Sequence, residues 1–275
     1  MGFKNNSLVL RSIKFFIVLI PSLFMVNVIT SLEVEDEFSY DVNAPNGPQN
    51  WGNLNPDWIL CGTGRSQSPI NIISRQAVVQ PSLGELNQHY RPAPAVLKNT
   101  GHDMEVEWSE YAGGVVIGGT FFLLVQCHWH ISSEHAIDGE RKPLELHIVH
   151  KSSEGYTAVV AFRYNLGERD HFLEQFIPYL QFATQEGVNV GVVNPSDIGF
   201  SHEEYYRYNG SLTTPPCSEN VTWTVFTSEK TVSLEQIQAL NDAAGNGEIG
   251  NARPNQPING RTIYIYRLHA ALSAI

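Results

Sequence analysis

The sequence predicts a mainly β (α+β) fold: a single domain around a large, mostly antiparallel twisted sheet with short peripheral helices. Three observations carry that expectation. Short apolar or alternating segments of strand type recur along the chain, separated by Gly/Pro clusters. Only two segments show helical spacing with capping residues, and no βαβ rhythm joins them to the strands. Hydrophobic residues make up 42% of the chain and charged residues 16%. A charged fraction this far below the usual quarter or so suits one large sheet better than two small domains.

The chain begins with something other than this domain. Lys4, Arg11 and Lys14 precede the apolar run Phe15 to Val28, which is broken only by Pro21, Ser22 and Asn27, and the first acid is Glu33. A basic region, a short apolar region and then Thr30 and Ser31 form the layout of a secretory signal peptide over residues 1–31, leaving a domain over 32–275. The run is shorter than the roughly 20 residues of a comfortable membrane span. An uncleaved anchor is the competing reading.

Strand candidates follow in order. Met104, Val106 and Trp108 alternate with acids, and Val115–Ile117 and Phe121–Val125 are short apolar runs. Leu144, Leu146 and Ile148 alternate with Glu145, His147 and Val149, and Ala158–Phe162, Val221–Phe226 and Thr262–Tyr266 complete the set. Asp170 is placed to cap a helix with Phe172, Leu173, Phe176 and Ile177 on one side. Ser233 to Gln236 reads as a capping box ahead of Ile237 and Leu240.

Charge excludes some partners. The 17 basic and 28 acidic side chains give a net charge of −11. No Lys/Arg surplus exists to displace counterions from nucleic acid or to hold an anionic membrane surface. Removing the leader takes away three of the basic residues and none of the acids, leaving a mature chain at −14. No stable membrane insertion is expected after that removal. The chain has three cysteines, Cys61, Cys127 and Cys217. An exported protein can bridge two of them, and spacing alone leaves every pairing open. Asn209-Gly-Ser and Asn220-Val-Thr are glycosylation sequons, usable if the chain enters the secretory pathway.

The histidines are the chemical signal. In Gln126-Cys-His128-Trp-His130, strand geometry puts Gln126, His128 and His130 on one face and Cys127 and Trp129 on the other. That parity makes Cys127 a packed thiol, not a ligand. His147 lies on a second strand candidate, beyond a polar connection containing Gly139 and Pro143. Pairing the two strands brings three imidazoles to three corners of a tetrahedron, the arrangement of a zinc site with one position left for water. Gln126 and Glu145 lie on the right faces to accept hydrogen bonds from the imidazole nitrogens that do not hold the metal. Taken alone, an H-x-H pair is a weak signal; a third histidine with a carboxylate on matching parity strengthens it.

From about Phe38 to about Arg267 the sequence resembles the alpha-class carbonic anhydrases. The matching stretches are Asn46-Gly-Pro-Gln-Asn-Trp51, Gln67-Ser-Pro-Ile-Asn-Ile72, Gln126-Cys-His-Trp-His130, Ser133-Glu-His135, Glu145-Leu-His-Ile-Val-His150, Gly210-Ser-Leu-Thr-Thr-Pro-Pro216 and Ala252-Arg-Pro254. Exported plant members resemble it most, through Tyr205-Tyr-Arg-Tyr-Asn209 and Cys217-Ser-Glu-Asn-Val221.

The resemblance implies an enzyme, carbonic anhydrase, whose zinc-bound hydroxide converts carbon dioxide and water to bicarbonate and a proton, reversibly. It matches His128, His130 and His147 to the Zn2+ ligands and Gln126 and Glu145 to their acceptors. Thr213 matches a hydroxyl that donates to a buried carboxylate, here Glu134, and accepts from the zinc-bound oxygen; Thr214 lines the same pocket. His102 matches the proton shuttle. Tyr40 matches a pocket tyrosine, and Thr100 stands where many members carry Asn. Val149, Val159, Leu212 and Trp223 match an apolar wall for carbon dioxide, and Cys61 and Cys217 match the disulfide of exported members. Extracellular space or apoplast is the expected destination, a plastid reached through the secretory route being compatible. The rivals are a storage or secretion protein on the same fold, expected to lack a zinc histidine, and an esterase side activity.

Overall fold

A computed structural model describes residues 1–2, 38–200, 204–245, 247 and 249–267. The chain divides into two units, residues 1–35 and 36–275. Beyond Met1 and Gly2 the predicted leader lies outside the described residues, so the fold is that of the second unit. Among the described residues no helix is long and apolar enough to cross a membrane.

The strands are β1 (Asn71–Ile72), β2 (Val78–Val79), β3 (Asn87–Gln88), β4 (Ala93–Asn99), β5 (Met104–Trp108), β6 (Gly114–Ile117) and β7 (Thr120–His130), then β8 (Ala136–Ile137), β9 (Leu144–Lys151), β10 (Thr157–Leu166), β11 (Val188–Val193), β12 (Tyr205–Ser211), β13 (Glu219–Val232) and β14 (Tyr264–Tyr266). The α-helices are α1 (Trp51–Leu54), α2 (Leu60–Thr63), α3 (His171–Glu174) and α4 (Leu234–Ala244). A twisted 12-stranded sheet runs in the order β11-β4-β5-β7-β9-β10-β13-β12-β14-β2, with β6 also beside β7 and β3 beside β6. This is the fold class the sequence predicts.

Most pairings are antiparallel, but the β10–β13 pair at the centre is parallel. The reason is the length of chain between them. Leu166 and Glu219 are separated by an excursion through α3, β11 and β12, ample for the crossover that a parallel pair requires.

Alternation explains why the central strands are buried on both faces. Leu144, Leu146 and Ile148 of β9 and Ala158, Val160, Phe162 and Tyr164 of β10 enter the larger core, which α3 and α4 cover with Phe172, Leu173, Ile237 and Leu240. On the opposite face Val159 and Ala161 join a second core with Ile70, Tyr208 and Trp223. The capping box at Ser233 forms as predicted, its hydroxyl accepting from Gln236 N and the Gln236 side chain reaching back. The other predicted helix is shorter than its apolar spacing suggests. Asp170 caps α3, but α3 ends at Glu174 and the chain continues as a 3-10 helix over Ile177–Phe182, with Pro178 in its first turn.

Candidate metal centre

The site is built by cross-strand rows. Glu105 of β5, His128 of β7 and His147 of β9 stand opposite one another, as do Gln126 of β7, Val149 of β9, Val159 of β10 and Trp223 of β13 in the adjacent row. A bulge in β7 makes this possible. Strict alternation would put Phe122, Leu124, His128 and His130 on one face and drive the imidazoles into the apolar core. The β7–β9 register shifts between Leu124 and Gln126. One extra residue inverts the facing, so Phe122, Leu124, Cys127 and Trp129 all reach the larger core while the histidines turn to the other side.

His128, His130 and His147 offer ring nitrogens within 4.8 Å of one another. One nitrogen of each ring is already engaged. His128 Nδ1 faces Gln126 Oε1 at 2.8 Å, His130 Nδ1 faces the Asn251 carbonyl at 2.8 Å, and His147 Nε2 faces Glu145 Oε1 at 2.7 Å. The remaining nitrogens, Nε2, Nε2 and Nδ1, converge. His130 Nε2 is buried and has no hydrogen-bond partner. An orphaned buried acceptor of this kind is costly unless something electrophilic meets it, and three imidazoles with carboxylate and carbonyl support suit zinc.

Electrostatics keeps the rings in the ligating form. Burial, reinforced by His130 and His147, pushes His128 well below the usual histidine range; burial and His130 push His147 down as well. Burial alone would raise Glu145, but the charges and hydrogen bonds of His135 and His147 outweigh it and hold the carboxyl well below its usual range. Glu105, which accepts from Gln126 Nε2, is pushed up to about 7 by burial and by Asp103 and Glu107.

A cavity of about 490 Å³ opens beside the triad. Gln126, His128, His147, Val149, Val159, Leu212, Thr213, Thr214 and Trp223 all line it, bringing one predicted acceptor, two of the three ligands, the wall and the threonines together.

The sequence matches the eukaryotic-type carbonic anhydrase family over residues 46–267. This chain belongs to the alpha carbonic anhydrase family. Among its relatives, alpha carbonic anhydrase 4 of Arabidopsis thaliana is 44% identical over 236 residues, covering 85% of this chain and 88% of the relative. A crystal structure of dioscorin complexed with ascorbate superposes with a TM-score of 0.81 at 40% identity, covering 84% of this chain and 98% of that one. The alpha carbonic anhydrase of Thermovibrio ammonificans in complex with sulfanilamide gives 0.77 at 33% identity, over 82% and 98% of the two chains.

One expected contact is absent. The predicted Thr213–Glu134 hydrogen bond is not made. Glu134 is fully buried, its Oε1 accepts from Arg253 N at 2.8 Å, and its Oε2 has no hydrogen-bond partner. That oxygen lies 3.6 Å from His130 Nε2 and 3.9 Å from His147 Nδ1, aimed at the triad. His102 does not line the cavity; its ring stacks on Phe38 with centroids 3.9 Å apart, and Tyr40 meets it edge-on. The disulfide joins Cys61 to Cys217, and Cys127 is free, buried and pushed up by burial, as its parity implies. Asn209 and Asn220 are both exposed.

Several supporting residues escaped the sequence reading. Asn251 serves His130 through its carbonyl and clamps its surroundings through its side chain, accepting from Ile131 N and donating to the carbonyls of Trp129 and His102. A carbonyl leaves no side-chain signal. His135 ties Glu145 to Tyr208 at 2.6 and 2.7 Å, and Tyr208 continues to Ser68 at 2.8 Å. The Ser133-Glu-His135 motif carries the signal for it.

Proposed function

We propose that the protein catalyses the reversible hydration of carbon dioxide to bicarbonate and a proton, with zinc held by His128, His130 and His147. The observation that carries this reading is the convergence of three ring nitrogens whose opposite nitrogens are already bonded to Gln126, Asn251 and Glu145. When bound, zinc supplies Lewis acidity and a water whose pKa in carbonic anhydrases falls to about 7. The three acceptors fix each imidazole's tautomer and orientation.

Carbon dioxide has no charge to grip, and the wall of Val149, Val159, Leu212 and Trp223 offers it an apolar face at the triad. Glu134 Oε2, buried and without a hydrogen-bond partner, is aimed at the triad, and Thr213 lines the cavity. His102, half-buried beyond the cavity, takes the released proton on its imidazole and passes it to buffer.

Export is part of the same reading. The Cys61–Cys217 bridge is of the kind that forms in an oxidising compartment, and exposed Asn209 and Asn220 would accept glycans there. Family membership is shared by a dioscorin, so the ligand set distinguishes an enzyme from a storage protein on this fold. All three histidines, Glu134 and Thr213 are present. Metal analysis of the purified protein should find about one zinc per chain, and His147→Ala should lose most of it together with hydration activity. Full activity in protein free of metal would sink the proposal.

A further inference from the structure

Of the three groups that support the imidazoles, two can only accept. Glu145, ionised, and the Asn251 carbonyl present oxygen to His147 and His130 whichever way they turn. Gln126 is different. An amide is nearly symmetric in shape, with an acceptor at one end and donors at the other. Rotated by half a turn, it would present its NH2 to His128, whose Nδ1 would then have to supply a lone pair. The ring proton would move to Nε2, the atom that must be bare to hold a metal.

Something has to choose between the two orientations. Glu105 Oε2 accepts from Gln126 Nε2 at 2.6 Å while Gln126 Oε1 faces His128 Nδ1 at 2.8 Å. Glu105 stands opposite His128 in the β5–β7 ladder, so strand register builds the contact. Lys98, opposite Glu105 on β4, is engaged by Glu107.

We propose that Glu105 is a positioning residue of the metal centre: by accepting from the amide nitrogen of Gln126 it holds the amide oxygen on His128, and so keeps the His128 proton on Nδ1 and its Nε2 lone pair free. The inference rests on the zinc reading above. Ionised, as it mostly is above about pH 8 where the comparison is made, the carboxylate offers acceptors only and rejects the flipped amide, oxygen against oxygen.

Glu105→Gln preserves shape but can present either polarity, so it releases the constraint. Long-range 15N–1H spectra of the zinc-free protein should show His128 as the Nδ1–H tautomer in the wild type and as a mixture in Glu105→Gln. Zinc release to a chelator should quicken about tenfold, the low end of the range for losing an outer partner of a metal ligand. The exchanged pair Glu105→Gln/Gln126→Glu puts an obligate acceptor at position 126 with an amide donor behind it. Both the tautomer and the zinc retention should return to wild-type values.

A wild-type tautomer and wild-type zinc release in Glu105→Gln would overturn the proposal. So would an exchanged pair no better than the single variant, since the loss would then come from packing. Gln126→Ala separates the two levels of the argument. If it quickens zinc release while Glu105→Gln does not, Glu105 alone is misassigned; if it too changes nothing, the support of His128 as a ligand fails with it.

Discussion

Replacing both Cys61 and Cys217 by alanine opens a loop closed across 156 positions of sequence. In the chain-entropy model a loop of this length contributes about 5 kcal/mol at 25 °C, because the unfolded chain recovers freedom that the bridge had removed. Alanine is the right replacement. The cysteines pack with Phe38, Tyr40, Trp51 and Trp58, where a serine hydroxyl would add a desolvation cost of its own. With a urea slope of about 3 kcal/mol/M for a domain of this size, the unfolding midpoint should fall by about 1.7 M. Tryptophan fluorescence of zinc-free wild type and variant in urea reads that shift. The neighbouring loop keeps its own ties, since Cys217 N donates to the Thr214 carbonyl at 2.9 Å and Gln67 Nε2 to the Cys217 carbonyl at 3.0 Å. The folded variant should therefore still bind zinc. A midpoint shift under about 0.3 M, roughly 1 kcal/mol, would refute the entropic argument. Loss of zinc at an unchanged midpoint would show that the bridge serves the site and not the fold.

Two further outcomes follow from individual imidazoles. Burial pushes His150 from its ordinary 6.5 down to about 4. The unfolded chain therefore takes up a proton between those values that the folded protein refuses, and stability falls as pH drops through that window. Linkage puts the loss between pH 7 and pH 5 at about 2 kcal/mol. Urea unfolding of His150→Gln should lose that much less over the same step, and equal losses in both proteins would contradict the assignment. His102→Ala should slow hydration chiefly at low buffer concentration and be rescued by added imidazole, because only the outward proton transfer is removed. Unchanged rate and buffer dependence would mean that another group carries the proton.

What the sequence reveals depends on whether side chains alternate. β9 was legible because Leu144, Leu146 and Ile148 face one core while Glu145 and His147 face the site, and the triad followed from parity on two short segments. β12 carries no strand signal in the sequence. Tyr205–Ser211 is buried on both faces over most of its length and shows no period to read. β4 was hidden for another reason, its alternation resting on Ala93, Ala95 and Leu97 around Pro94. The β7 bulge was equally invisible. Nothing in Leu-Leu-Val-Gln announces an extra residue, yet without it the predicted histidine face and the apolar face of the same strand could not both be right. Asn251 shows the remaining gap: it acts on His130 through a group that every residue possesses, so only the folded chain identifies it.

The function proposed for this chain, zinc-dependent hydration of carbon dioxide, rests on three histidines on two paired strands. Stopped-flow hydration of carbon dioxide by the purified protein, before and after removal of zinc with a chelator and again after zinc is restored, tests it most directly. Hydration should be fast, should vanish with the metal, and should return with it. Hydration that persists in metal-free protein, or a zinc-loaded protein with no activity above buffer, would contradict the account.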